Sequence, residues 1–227
     1  MPLFSDVDLI ALFWFLAAWL GYSFVIEMTP RGRIGLNGLM HRFRGEWMQR
    51  LLARESRIMD AQVIAALQNG TAFFASTSLI ALGGALTLFR SPQDLEAILS
   101  RLPFETSGSN VQWQFKVIGL LIIFVYAFFK FAWSYRLYNY VAIMVGAAPP
   151  AAEKDSDSAR NFARATEALI TEAGRHFNRG QRAFFFALGY LGWFLGPLPL
   201  IITTAATVVV MWRRQYWSQS RQAIAER

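Results

Sequence analysis

Four stretches of this chain, 7–28, 69–89, 113–138 and 183–212, are apolar for longer than a soluble helix needs, and they constrain the fold more than any other feature. A hydrocarbon core of ~30 Å takes about 20 residues of helix to cross, and each block reaches that length. The first carries no charge between Asp8 and Glu27, and the fourth carries none at all. Charged residues make up only 16% of the 227 residues and mean hydropathy is +0.31, against about 25% charged in a soluble domain. The chain therefore reads as all-α: a polytopic membrane helix bundle of about four transmembrane segments, forming a single integral membrane domain over 1–227. Disordered and collagen-like chains are excluded by the same composition.

Orientation follows from the placement of Lys and Arg in short loops. The segment 29–68 holds Arg31, Arg33, Arg42, Arg44, Arg50, Arg54 and Arg57 against Glu46, Glu55 and Asp60, whereas the N-terminus has no basic residue and 91–112 is net acidic. The expected topology puts the N-terminus outside the inner (plasma) membrane and the Arg-rich loops in the cytoplasm. Nothing basic precedes the first block, so it reads as a retained span and not a removable signal peptide. The tail, with Arg213, Arg214 and Arg221, breaks the rule if the fourth block crosses once. Gly196, Pro197, Leu198 and Pro199 interrupt that block at its middle. It reads either as one kinked helix or as two half helices that turn back at Gly196 to Pro199.

Two polar segments join the spans on the cytoplasmic side. In 29–68 the residues Leu36, Met40, Phe43, Trp47, Leu51 and Ile58 recur at spacings of mostly three and four, one apolar helical face. Arg42, Arg50, Arg54 and Arg57 fall largely off that face, which gives a basic amphipathic helix suited to an anionic leaflet and makes these four the candidate lipid or anion contacts. Glu46 to Arg50 and Arg57 to Asp60 are expected as local pairs. A second amphipathic helix is expected over 159–177, after a loop opened by Pro149 and Pro150. The outer segment, with Pro103, Ser107, Gly108 and Ser109, has the composition of a turn.

Polar groups inside hydrocarbon are costly, at roughly 2.5 to 3.5 kcal/mol for a charge on insertion scales, and so are functional candidates. The candidates for a pathway are Glu27, Ser76, Thr77, Ser78, Lys130, Ser134, Arg136 and Asn139. Lys130 either snorkels to the headgroups or pairs with Glu27, which ends the first span on the same side. The hydroxyls of Ser76 to Ser78 either line a passage or accompany a small-residue face formed with Ala81 and Ala85 for close helix packing.

The order of segments resembles a known family. Residues 57–68 followed by Asn69, Gly70, Phe73, Phe74 and Ala75 to Ser78 are similar to the central signature of the domain of unknown function five-nine-nine, a family of multi-pass membrane proteins of bacteria and plants. Tyr135, Arg136, Asn139, Tyr140 and Gly146 to Pro149 are similar to its second signature, and Gly192, Trp193, Phe194, Arg213 and Arg214 to its third. The resemblance covers nearly the whole chain, and it implies the membrane architecture without implying an activity.

Three functions fit these residues. The favoured one is an oligomeric channel or transporter for a small solute, anions among them, because four spans enclose no pore alone and so require a homo-oligomer. The alternative is a membrane-surface anchor or assembly protein working through its Arg-rich amphipathic helices and membrane lipids. The third is a lipid-headgroup enzyme with His41, Glu46, Glu55 and Asp60 as acids and bases. Enzyme chemistry ranks last because Asp60 stands apart from Glu55 with Arg57 between them, and no ligand cluster forms at helical spacing. With no Cys and with His41 and His176 far apart, no metal or cofactor is expected. Nucleic acid is not expected either, since the net charge of +7 sits where topology needs it.

Overall fold

The structure, a computed structural model, describes residues 3–90 and 110–225. The expected outer turn at Pro103 to Ser109 lies outside the described residues. Everything regular in the described residues is helical: α1 Asp6–Met28, α2 Pro30–Ile34, α3 Leu36–Leu52, α4 Ile58–Arg90, α5 Asn110–Gly146, α6 Asp157–Tyr190, α7 Pro197–Tyr216 and α8 Gln219–Ala225. Three of these, α1, α4 and α5, are long and apolar enough to cross a membrane, consistent with a membrane protein. The fourth apolar block, expected over 183–212 as a kinked or re-entrant segment, is not among them and is divided between α6 and α7.

Helix starts follow their caps. Ser5 caps α1 by accepting from the Asp8 amide at 3.1 Å, and Ser156 does the same for α6 through Ala159 at 3.1 Å; such a cap is worth about 1 kcal/mol. Acidic residues in the first turns, Asp6 and Asp8 in α1 and Asp157 in α6, add a favourable charge at the positive helix end. Thr29 precedes Pro30, which keeps it extended at φ −104°, ψ 156° and ends α1.

Helix boundaries depart from the sequence reading at two places. The apolar face drawn through Ile58 is broken, because α3 ends at Leu52 and Ile58 opens α4, where it is 69% exposed. On α3 the buried side chains are Met48, Leu51 and Leu52, while Met40 is exposed. The amphipathic segment 159–177 and the start of the fourth apolar block are not separate: α6 runs through both as one helix of 34 residues.

At Gly196 the backbone takes φ 130°, which L side chains rarely adopt, and Pro197 then starts α7 at its first helical position. The chain turns back on itself there. Thr203 Oγ1 donates to the Gly189 carbonyl at 2.6 Å, so α7 packs antiparallel to the end of α6. Farther along, the Tyr216 hydroxyl donates to the Arg31 carbonyl at 3.1 Å and Arg221 Nε to the Ile34 carbonyl at 3.0 Å. Arg213 and Arg214 thus return to the end of the bundle that holds the 29–68 arginines.

Helix α5 is the axis, with α4 on one side and α6 on the other. The face of α4 that packs inward is Ile64, Thr71, Ser78 and Ala85, one residue every seven. One aromatic cluster joins the three long helices: Phe74 stacks on Phe131 at 5.4 Å and meets Phe177 edge-on at 5.6 Å. A second ties α1 to α6, with Trp19 stacked on Phe186 at 5.7 Å and Phe15 edge-on to Tyr190 at 5.2 Å. Below them, Met48 and Leu51 of α3 close a separate apolar core with Ile64, Val141 and Ile170.

Candidate functional site: a basic cavity at the arginine-rich end

Where α1 stops at Met28 and the chain swings through α2 into α3, the bundle is not filled. A cavity of about 710 Å³ opens between the end of α1, α2, α3 and α6. Its charged lining is Arg33, Arg42, Arg44, Arg175 and Arg182 against Glu27 and Glu167, five arginines to two carboxylates. Low-dielectric walls make such an excess more effective than the same charges on an open surface.

Two arginines of this end are held differently. Arg182, 7% exposed, is bonded to Glu27. Arg179 joins the same carboxylate, with Nε 3.0 Å from both oxygens and Nη2 2.6 Å from Oε2. One carboxylate therefore balances two guanidiniums, and its bond to Arg179 lifts that group above the usual arginine range.

Arg44 has no such partner. No carboxylate among the described residues lies within ion-pair distance of it; beside it stand the uncharged Tyr138 hydroxyl and the like-charged Arg175. Burial draws its guanidinium below the ordinary arginine range, Tyr138 opposes that shift, and Arg175 adds repulsion. The side chain reaches the cavity past Gly174, where an added Cβ would lie 2.6 Å from Nη2. Glycine here is a matter of close approach, since any side chain would displace the guanidinium.

Of the sequence candidates, Glu27 and Arg42 line this cavity. Arg42 is 3.6 Å from Glu46, which also pairs with Arg50 at 3.4 Å as the spacing predicts. Arg54 and Arg57 lie in the α3–α4 connection and bond inward: Arg54 to Asp60, and Arg57 to the Ala148 carbonyl at 3.0 Å and to that of Pro149. The expected Arg57 to Asp60 pair is replaced, because Asp60, 1% exposed, faces Arg54 and the Trp47 indole, which donates to it at 2.6 Å.

The intramembrane candidates are not gathered. Thr77 and Ser78 donate to the Phe73 and Phe74 carbonyls of their own helix at 2.8 Å each, and Ser76 is exposed. Ser134 is buried and donates across to the Ala173 carbonyl of α6 at 2.8 Å. Asn139 accepts from Gln68. Arg136 donates to the Tyr140 hydroxyl at 2.7 Å. The expected Lys130 to Glu27 pair does not form: Lys130 lies over the Tyr126 ring at 5.1 Å, and Arg179 and Arg182 occupy the carboxylate. Helix α6 puts those arginines alongside the end of α1, which the division at Ala183 hid.

The proposed acid–base set is dispersed as well. His41 Nδ1 shares a hydrogen bond of 3.2 Å with Thr171 Oγ1, Glu55 is exposed, and Asp60 is enclosed by Arg54 and Trp47. Sequence reasoning passed over Arg44, Gly174, Arg179 and Arg182. One signal was present for the first: Arg44 stands one and two turns before Met48 and Leu51, an arginine on the buried face of α3.

Taken together, the fold and cavity define a helical membrane-type protein with an arginine-lined chamber at one end of its bundle. The chain matches, over residues 10–220, the family described as protein of unknown function, DUF599, and belongs to it. No curated protein and no solved structure matches.

Proposed function

We propose that this membrane protein captures an anionic group, of the phosphate or carboxylate kind, in the cavity at its arginine-rich end. The observation that carries this reading is Arg44, a guanidinium set in the cavity wall with no carboxylate to neutralise it. An arginine can hold an anion by two parallel hydrogen bonds, and an anion here would relieve the Arg44–Arg175 repulsion. The distribution of Lys and Arg favours placing this end in the cytoplasm and the N-terminus outside, and the return of Arg213 and Arg214 to this end fits that placement. The role is binding, without chemistry performed on the ligand. Calorimetric titration of the detergent-purified protein with pyrophosphate tests it: wild-type protein saturates at one site and Arg44→Gln binds at least tenfold more weakly. Equal binding by both would refute the assignment.

A second reading, an oligomeric channel or transporter for a small anion, is favoured by α4. Only 11% of its apolar stretch is covered within the chain, and open space faces Gly70, Gly83 and Gly84. A second copy seated on that face would approach closely, and a path would run between the two copies. Native mass spectrometry in lipid nanodiscs checks this; a strict monomer removes it.

A further inference from the structure

A smaller cavity of about 270 Å³ adjoins the basic one, and the two share Ile26, Asn37, Asn178 and Arg182 in their walls. Its character is different. On one side it is apolar, with Tyr22, Ile26, Phe185 and Met211, drawn from the last turns of α1 and from the α6–α7 hairpin. On the other it is polar, with Arg214, Gln215, Ser218 and Ser220. No carboxylate lines it, although two arginines do. Gln215 is 7% exposed, and its Nε2 has no hydrogen-bond partner among the described residues. That nitrogen is turned against Gly35, so the polar side of the cavity rests on Arg214, Ser218 and Ser220.

A free inorganic anion uses the basic cavity and gains nothing from Tyr22, Phe185 and Met211. An amphiphile uses both: its charged group fits the arginine side, and the carbon chain next to it fits the apolar wall. The second cavity also stands beside Tyr22 and Ile26, near the end of the apolar stretch of α1, where hydrocarbon gives way to headgroups.

We propose that the two adjoining cavities hold one anionic phospholipid, its phosphate on the side of Arg44 and Arg182 and its glycerol and first acyl carbons against Tyr22, Phe185 and Met211. This rests on the reading of the larger cavity as an anion site, and it identifies the anion as part of a lipid.

The experiment is native mass spectrometry of the full chain, released from mixed phosphatidylglycerol and phosphatidylcholine, run beside the pyrophosphate titration. Wild-type protein is expected to retain one phosphatidylglycerol, at least tenfold in preference to phosphatidylcholine. Arg214→Gln and, separately, Met211→Trp, which fills the apolar wall, should cut that retention at least fivefold while pyrophosphate binding stays within twofold. Intact pyrophosphate binding shows that these variants are folded. Equal retention of the two lipids, or retention unchanged in both variants, overturns the lipid assignment and leaves the anion site standing. Absence of pyrophosphate binding in wild-type protein overturns the underlying reading instead.

Discussion

The two ends of the bundle handle charge in opposite ways. At the end formed by the start of α1 and the α6–α7 turn, each described charge in the interior is matched. Asp8 accepts from the Trp193 indole at 2.9 Å and from Ser5 at 2.7 Å, while Lys116 donates to the Trp193 carbonyl at 2.9 Å and lies over the Trp113 and Trp193 rings. Phe4 stacks on Trp193 at 5.4 Å and closes the gap. At the other end arginines outnumber carboxylates around an open chamber. An unneutralised guanidinium in a cavity wall raises the energy of the empty protein, and that cost is recovered only when an anion enters. The first end is built to be finished on folding, the second to be finished on binding.

The comparison breaks most directly at Arg44. Arg44→Gln should weaken pyrophosphate binding at least tenfold, equivalent to about 1.4 kcal/mol, with a modest rise in the melting temperature of the empty protein. Gly174→Leu should give a loss of several-fold by pushing the same guanidinium aside. Glu27→Gln should act in the other direction. It removes the carboxylate shared by Arg179 and Arg182, so the protein loses about 1–3 kcal/mol of stability, yet anion affinity rises two- to fivefold and pyrophosphate restores more of the melting temperature than in wild type. Asp8→Asn sharpens the contrast, since it disturbs the closed end and should leave anion affinity unchanged in the same titration.

The smallest effect concerns His176. Burial and the nearby Lys130 cation hold its imidazole below the ordinary histidine range, with Glu172 opposing them; Arg179 adds to the lowering and Glu27 again opposes. A base whose pKa is lowered by folding binds fewer protons folded than unfolded, so its neutral form supports the fold. Stability should therefore be full above about pH 6.5 and decline slightly as pH falls below it. His176→Gln should flatten that decline in thermal melts taken between pH 5 and 8.

Much of the architecture was legible because a bilayer leaves few options. The apolar blocks that became α1, α4 and α5 needed only length and hydropathy to recognise, and Gly196, Pro197 and Pro199 marked a break without deciding between a kink and a turn. Helix ends were less readable: α6 passes from amphipathic to apolar without a break, because helical backbone bonds form equally well in both settings, and a composition change at Ala183 looked like a boundary. The candidate site was hardest. Arg54 and Arg57 look like lipid contacts in a linear pattern, yet the α3–α4 connection turns them toward Asp60 and toward the carbonyls of Ala148 and Pro149. Arg44 and Gly174 stand 130 positions apart and meet only through packing of α3 on α6.

The most direct measurement is the anomalous scattering of tungstate in crystals of the wild-type protein. An anion site at the hollow end predicts a tungsten peak inside the large cavity, within hydrogen-bond distance of Arg44, and none at the Asp8–Lys116–Trp193 end. Ordered tungstate only on outer surfaces, with the cavity free of it at saturating concentration, would contradict the central claim.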